Sequence, residues 1–235
     1  MAKTTREPLS RERALAAAVT LADAEGLKAL TMRRLATDLG VEAMSLYYHL
    51  PGKGGLLDGL AETVIAEITA AVALTAKDKT DWRTSLRRRF LAARQVMLRH
   101  PWAPGLLSSR PAIPLGVFAY YDEIVGTLIE GGFSHRIAHR ALHAFGSLAL
   151  GVAQEIFSPE AAGGNTDVEA AEADLPAMAE ALPHLTAMMT AEAHDAADPT
   201  LGWCDSQTEF EFTIDLLLDG IDRARGPAAA GPTAR

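Results

Sequence analysis

Residues 31–50 read TMRRLATDLGVEAMSLYYHL, and this stretch decides the fold. Thr31 suits a helix N-cap, because its hydroxyl can accept from a free N–H of the first turn. Met32, Leu35, Ala36 and Leu39 recur at helical spacing and give one apolar face. Gly40 stops that helix, since glycine enters the left-handed region without steric cost. After a tight turn at Gly40-Val41, a second short helix is predicted from Glu42 to about His49. Leu46 anchors it inward, and small Ala36 lets the two helices cross closely. Ala43, Met44, Ser45, Tyr47, Tyr48 and His49 are left facing outward or sideways. Two tyrosines and a histidine on so short a helix suit phosphates and base edges in a major groove. The pair reads as a DNA-binding helix-turn-helix.

Working outward, the whole chain reads as helix, and the fold class is all-α. Ser10 can cap a first helix with Leu15, Ala18, Val19 and Ala22 as its core stripe and Gly26 at its end. With the helix-turn-helix it makes a three-helix head. Pro51-Gly52 breaks the chain, and Lys53 opens a long fourth helix to about Leu74. Gly54-Gly55 fall in its first turn and read either as a soft joint between head and body or as a pair tolerated at a helix end. A fifth helix is expected from Trp82 to His100. Residues 101–114 hold four prolines, so at most a short broken helix fits. Helices follow at about 115–130 and 134–157. Another fills 168–193 with interruptions at Pro176 and Pro183, and the last runs at about 205–223. The expected division is a reader head at 1–53 and a sensor and dimerisation body at 54–235.

The net charge of −8 argues at first against nucleic acid, but its distribution answers the objection. Residues 1–53 carry eight Lys/Arg against six Asp/Glu, so the head is +2 and the remainder −10. An acidic body on a mildly basic head repels DNA everywhere except at the head. Cys204 is the single cysteine, which fits a reducing cytoplasm. The charged N-terminus lacks a signal peptide's apolar core, and no apolar run approaches the length of a membrane span. No enzyme is expected: G-x-S-x-G, G-x-x-x-x-G-K-[ST] and paired cysteines are all missing from the sequence.

The run from Ser10 to about Leu60 resembles the N-terminal domain of the tetracycline-repressor (TetR) family. The residues that carry it are Ala36, Gly40, Val41, Leu46, Tyr47, Tyr48, His49, Lys53 and the LLDGL that follows. HPWAPGLLSSRP at 100–111, GGFS at 131–134 and FGSLALGVAQE at 145–155 are similar to that family's ligand-binding half. The resemblance implies a homodimer that binds operator DNA and is released by a small molecule. It places Arg33, Ala43, Met44 and Tyr47 at base-facing positions, and Thr31, Ser45, Tyr48, His49 and Lys53 at phosphate-contacting ones. Ala43 and Met44 depart from the Gln and Pro of the tetracycline repressor itself, so apolar contact with thymine methyls is expected instead.

The tetracycline site is not implied. Leu106 or Leu107 stands where a metal-binding histidine would fall, and Ser147 replaces a second histidine, although Glu155 matches an acidic position. A lipophilic or aromatic effector is expected in a cavity near the proline-rich connector. Its candidate contacts are Arg89, Trp102, Leu106, Arg110, Phe118, Tyr121, Phe145, Ser147 and Glu155, with Gln95 a further polar anchor. The eighth helix carries small residues, Ala144, Gly146, Ala149, Gly151 and Ala153, that let another helix approach closely, and the last is apolar on more than one side, which together predict pairing with a second copy. His135, His139 and His143 recur every four residues. They read as a polar face beside Arg136 and Arg140, a metal-binding use stays open, and no cofactor is expected. The alternative function is a DNA-binding factor governed by a protein partner, without a small-molecule pocket.

Overall fold

The computed structural model describes residues 8–75, 80–151, 179–191 and 206–225. Ten helices are delimited among them, residues 179–181 are helical as well, and no strand occurs there. The ten are α1 (Arg11–Ala29), α2 (Met32–Leu39), α3 (Ala43–His49), α4 (Gly52–Leu74), α5 (Trp82–Arg99), α6 (Ala103–Ser109), α7 (Leu115–Glu130), α8 (His135–Gly151), α9 (Pro183–Ala191) and α10 (Ser206–Ala224).

The caps follow the sequence. The Arg13 N–H donates to Ser10 Oγ at 3.1 Å, and the Arg34 N–H to Thr31 Oγ1 at 3.1 Å. Gly40 sits at φ 62°, and its N–H closes α2 onto Ala36 and Thr37. At Gly26 (φ 76°) the backbone leaves helical geometry, but helical bonding resumes to Ala29, so the expected end of the first helix is a kink. The proline-rich connector forms α6, seven residues long, with Pro104 in its first turn, where a missing N–H costs nothing. Pro183 opens α9 for the same reason. The expected continuation of α8 over 152–157, the loop at 158–167 and the helix over 168–178 lie outside the described residues.

Two apolar cores form. The head core joins Leu15, Ala18 and Leu21 of α1, Leu35 and Leu39 of α2, and Leu46 of α3. Leu56, Leu60 and Ala61 of α4 and Leu106 of α6 complete it. The body core takes Val64, Ile65 and Ile68 from the same α4, with Phe90, Ile124, Phe145, Ile214 and Leu218. One helix is therefore built into both cores, its first half in the head and its second half in the body. Burying each such leucine is worth about 1.5–3 kcal/mol, so neither half of α4 moves without its neighbours.

On α10, Phe210, Ile214, Leu218 and Ile221 turn inward, while Phe212 and Leu216 stay 59% and 51% exposed. Leu148 and Leu217 pack partly buried against the body core. The uncovered apolar stripe on α10 is thus Phe212 and Leu216, the second apolar side expected from the sequence. Gly54 has open space where a Cβ would go, whereas a Cβ on Gly55 would lie 2.6 Å from the Pro51 ring. Gly55 is thus required by the close approach of the Pro51 ring, whereas Gly54 is not.

Candidate functional site

The outer face of the head is set by one buried residue. Leu46 is fully buried and fixes the rotation of α3. That rotation leaves Met44 77%, Tyr47 47% and Tyr48 89% exposed, with Ser45 exposed and Ala43 and His49 half-buried. The Tyr48 and His49 rings meet edge to face at 5.3 Å.

Two adjacent arginines on α2 divide cleanly. Arg34 is spoken for: it binds Glu25 at 2.7 Å and Asp38 at 3.1 Å, and these hydrogen bonds raise its pKa above the ordinary value. Arg33 is exposed, and its guanidinium has no hydrogen-bond or ion-pair partner among the described residues. Lys53, in the first turn of α4, is likewise exposed and without a partner there. Thr31 is exposed while its hydroxyl accepts the α2 cap bond. The structure thus brings Thr31, Arg33, Ala43, Met44, Ser45, Tyr47, Tyr48, His49 and Lys53 to the head, with Arg33 and Lys53 unneutralised there.

In the body, a cavity of about 80 Å³ lies between α4, α5, α6, α7 and α8. Ile68, Phe90, Met97, Leu107, Tyr121 and Phe145 are among its walls. Phe90 and Phe145 stack at 4.2 Å between ring centroids. Of the expected ligand contacts, Tyr121 and Phe145 line this cavity. Phe118 is 52% exposed and meets Tyr121 edge-on, and Ser147 is exposed. Leu106 is buried in the head core instead. Arg110 is held by Asp58 at 2.7 Å, which ties the end of α6 to α4. Gln95 is exposed and donates to Gln207. Arg89 lies over the Tyr120 ring, 5.1 Å from its centroid. Glu155 lies outside the described residues. A larger, open groove of about 450 Å³ runs between α4 and α5, but α7 and α8 take no part in it.

Sequence reasoning missed the junction between head and body. His100, at the C-cap of α5, is buried and binds two carboxylates from two other helices. Its Nδ1 lies 2.7 Å from Asp23 on α1, and its Nε2 lies 2.9 Å from Glu67 on α4. The Trp102 indole N–H donates to the same Asp23 at 2.6 Å, and Arg99 pairs with Glu67. Burial by itself would lower the His100 pKa, but the bonds to Asp23 and Glu67 outweigh it and raise it. Burial would raise Glu67, but the bonds from Arg99 and His100 lower it. These residues lie tens of positions apart, so no local pattern announces them. Trp102, expected in the cavity, is a member of this junction.

His139 and His143 place their Nε2 atoms 3.3 Å apart on the exposed side of α8. Among the described residues no group of three His, Cys, Asp or Glu side chains is arranged to hold a metal ion. No helix there is long and apolar enough to cross a membrane.

A paired-helix reader with an exposed aromatic and cationic face, carried on a helical body, defines a DNA-binding transcriptional regulator. Residues 14–60 match the family described as "Bacterial regulatory proteins, tetR family", and residues 74–225 match "Tetracyclin repressor-like, C-terminal domain". An "HTH-type transcriptional regulator" of Saccharopolyspora erythraea is 30% identical over 76% of this chain and 77% of its own. The "Tetracycline repressor protein class A from transposon 1721" of Escherichia coli is 30% identical over 89% of this chain and 88% of its own. A crystal structure of a possible TetR family transcriptional regulator from Streptomyces coelicolor A3(2) superposes with a TM-score of 0.70. It is 31% identical, and the match covers 92% of this chain and all of that one. The chain belongs to the TetR family of transcriptional regulators. Regulators of this family bind operator DNA and act as dimers.

Proposed function

We propose that this regulator is a repressor released from its operator when a small molecule enters the body. Residues 1–53 act as the reader and 54–235 as the sensor and dimerisation unit, in the cytoplasm. Thr31, Ser45, Tyr48, His49 and Lys53 hold phosphates, while Arg33, Ala43, Met44 and Tyr47 face the bases. Two such heads about 34–36 Å apart enter successive major grooves. The observation that carries the reading is the double membership of α4. Ile65 and Ile68 wall the cavity, while Leu56 and Leu60 on the same helix are in the head core. A ligand that displaces the cavity wall displaces the head. Ligand and DNA then weaken each other reciprocally, as any coupling between two sites requires.

The cavity lining is apolar and aromatic, which supports a lipophilic or aromatic effector and not the metal-chelated drug for which the tetracycline repressors are named. The test takes an operator selected from random DNA by the purified protein. That operator is titrated with protein in the presence of a panel of aromatic compounds. The reading requires at least one compound that weakens binding at least tenfold. A protein that selects no common sequence would refute the reader, and an operator affinity unmoved by every compound would refute the sensor.

A further inference from the structure

Three buried side-chain polar atoms lack a hydrogen bond among the described residues: Arg88 Nε, Arg89 Nη1 and the Tyr120 hydroxyl. The last two belong to neighbours. The Arg89 guanidinium lies over the Tyr120 ring, and Tyr120 is itself a wall of the cavity between α4 and α8. Arg89 Nη1 does come within 2.7 Å of Glu123 Oε2, an ion pair without the alignment of a hydrogen bond. Glu123 is half exposed, so this carboxylate can turn to water at little cost. The Tyr120 hydroxyl is almost wholly buried, and burial pushes its pKa far above the ordinary value against the pull of Arg89. It stays protonated at every physiological pH and is a donor with nothing to donate to.

Leaving buried donors unpaired is costly, and folded proteins rarely keep them without a use. Here the unpaired Tyr120 hydroxyl belongs to a wall of a cavity whose other walls include Phe90, Phe145, Ile68 and Met97, and the Arg89 guanidinium, outside that lining and ion-paired with Glu123, lies against the Tyr120 ring. An apolar cavity with few polar groups placed to fix orientation is the ordinary design of a small-molecule site. At about 80 Å³ the cavity is smaller than such a ligand, so binding has to open it. Met97 and Leu107 are only partly buried, and methionine is the most adaptable core side chain.

We infer that Arg89 and Tyr120 together anchor the effector, and that the effector is an aromatic molecule bearing an acceptor oxygen, anionic at neutral pH, that both donors bind. This rests on the sensor reading above. The oxygen replaces the Glu123 carboxylate on Arg89 and takes the Tyr120 proton as a hydrogen bond. The ring system slides toward Phe90 and Phe145 and displaces Met97 and Leu107. Pressure on Leu107 falls on α6, whose Leu106 lies in the head core.

Three probes of one shape test this by calorimetric titration of the full-length dimer: 2-naphthoate, 2-acetylnaphthalene and 2-ethylnaphthalene. The expected order of affinity is naphthoate, then the ketone, then the hydrocarbon, with about tenfold or more between first and last. Tyr120→Phe should weaken naphthoate about tenfold, leave ethylnaphthalene unchanged, and leave the melting temperature of the free protein equal or higher. Arg89→Met should remove the preference of naphthoate over the ketone. If all three probes bind wild type equally, or if Tyr120→Phe weakens naphthoate and ethylnaphthalene alike, the anchor is wrong while the cavity stands. If none of the three binds, the anchor is wrong, while the sensor reading stands or falls on the operator titration.

Discussion

Replacing His100 by alanine tests whether the junction between α1, α4 and α5 is an electrostatic latch. The side chain is 9% exposed, and its two carboxylate partners, Asp23 and Glu67, are 33% and 37% exposed. Two hydrogen bonds to charged groups would be worth about 1.5–3 kcal/mol each if fully buried. The carboxylates here regain hydration, Asp23 keeps the Trp102 N–H, and Glu67 keeps Arg99. That brings the net loss to about 1–3 kcal/mol, or about 3–10 °C in melting temperature for a chain of this size. The pH dependence is the sharper signature. The folded pKa of His100 is raised, so its contribution is complete below the ordinary value of 6.5 and is lost as pH rises through the folded value. Glu67 is lowered, so its share is present above the ordinary value of 4.5 and is lost on acidification. Thermal unfolding of wild type and His100→Ala at pH 6 and pH 9 should therefore show a gap that is wide at the lower pH and narrow at the higher. A gap of equal size at both would refute the latch and leave only a packing role for the imidazole.

On the head, Tyr47→Ala should weaken operator binding and alter sequence preference in a competition assay. Lys53→Ala should weaken all sequences alike and lower the slope of log affinity against log salt by about one. On α10, the double change Phe212→Glu, Leu216→Glu places charges on half-exposed positions, so each chain should keep its helicity while sedimentation shows monomers. A dimer that survives both charges would place the interface elsewhere. At the start of α4, Gly54→Ala should raise stability by up to about 1 kcal/mol, because its Cβ meets nothing. Gly55→Ala should lower it, because its Cβ would strike the Pro51 ring. Denaturant titration showing the two substitutions alike would contradict the local geometry.

The fold was legible wherever the signal is local. Ser10, Thr31 and Gly40 terminate helices through atoms within a few residues of themselves, so a one-dimensional reading suffices. The face of α3 was legible too, because burying Leu46 fixes where Met44, Tyr47 and Tyr48 point. What was not legible depends on residues distant in sequence. His100 gives no hint of Asp23 or Glu67, and Arg110 gives none of Asp58. Leu106 looked like a body residue because its neighbours are, yet it finishes the head core. Gly55 looked like a flexible position until the Pro51 ring was seen against it. Of the two residues in the proposed anchor, Arg89 stands out in the sequence by its type, whereas Tyr120 is indistinguishable from core.

The placement of Leu106 bears on how regulators of this shape can be recombined. A reader grafted onto a foreign body at residue 53 would leave behind Leu56, Leu60, Ala61 and Leu106, four buried members of its own core. The loss would be several times the energy of a single cavity mutation, enough to unfold so small a unit. Exchange of DNA specificity between relatives should therefore succeed by changing the outward residues of α3 in place, or by carrying the first half of α4 and a compatible α6 leucine along with the graft. Operator preference can then drift one side chain at a time, while the seam with the sensor stays fixed.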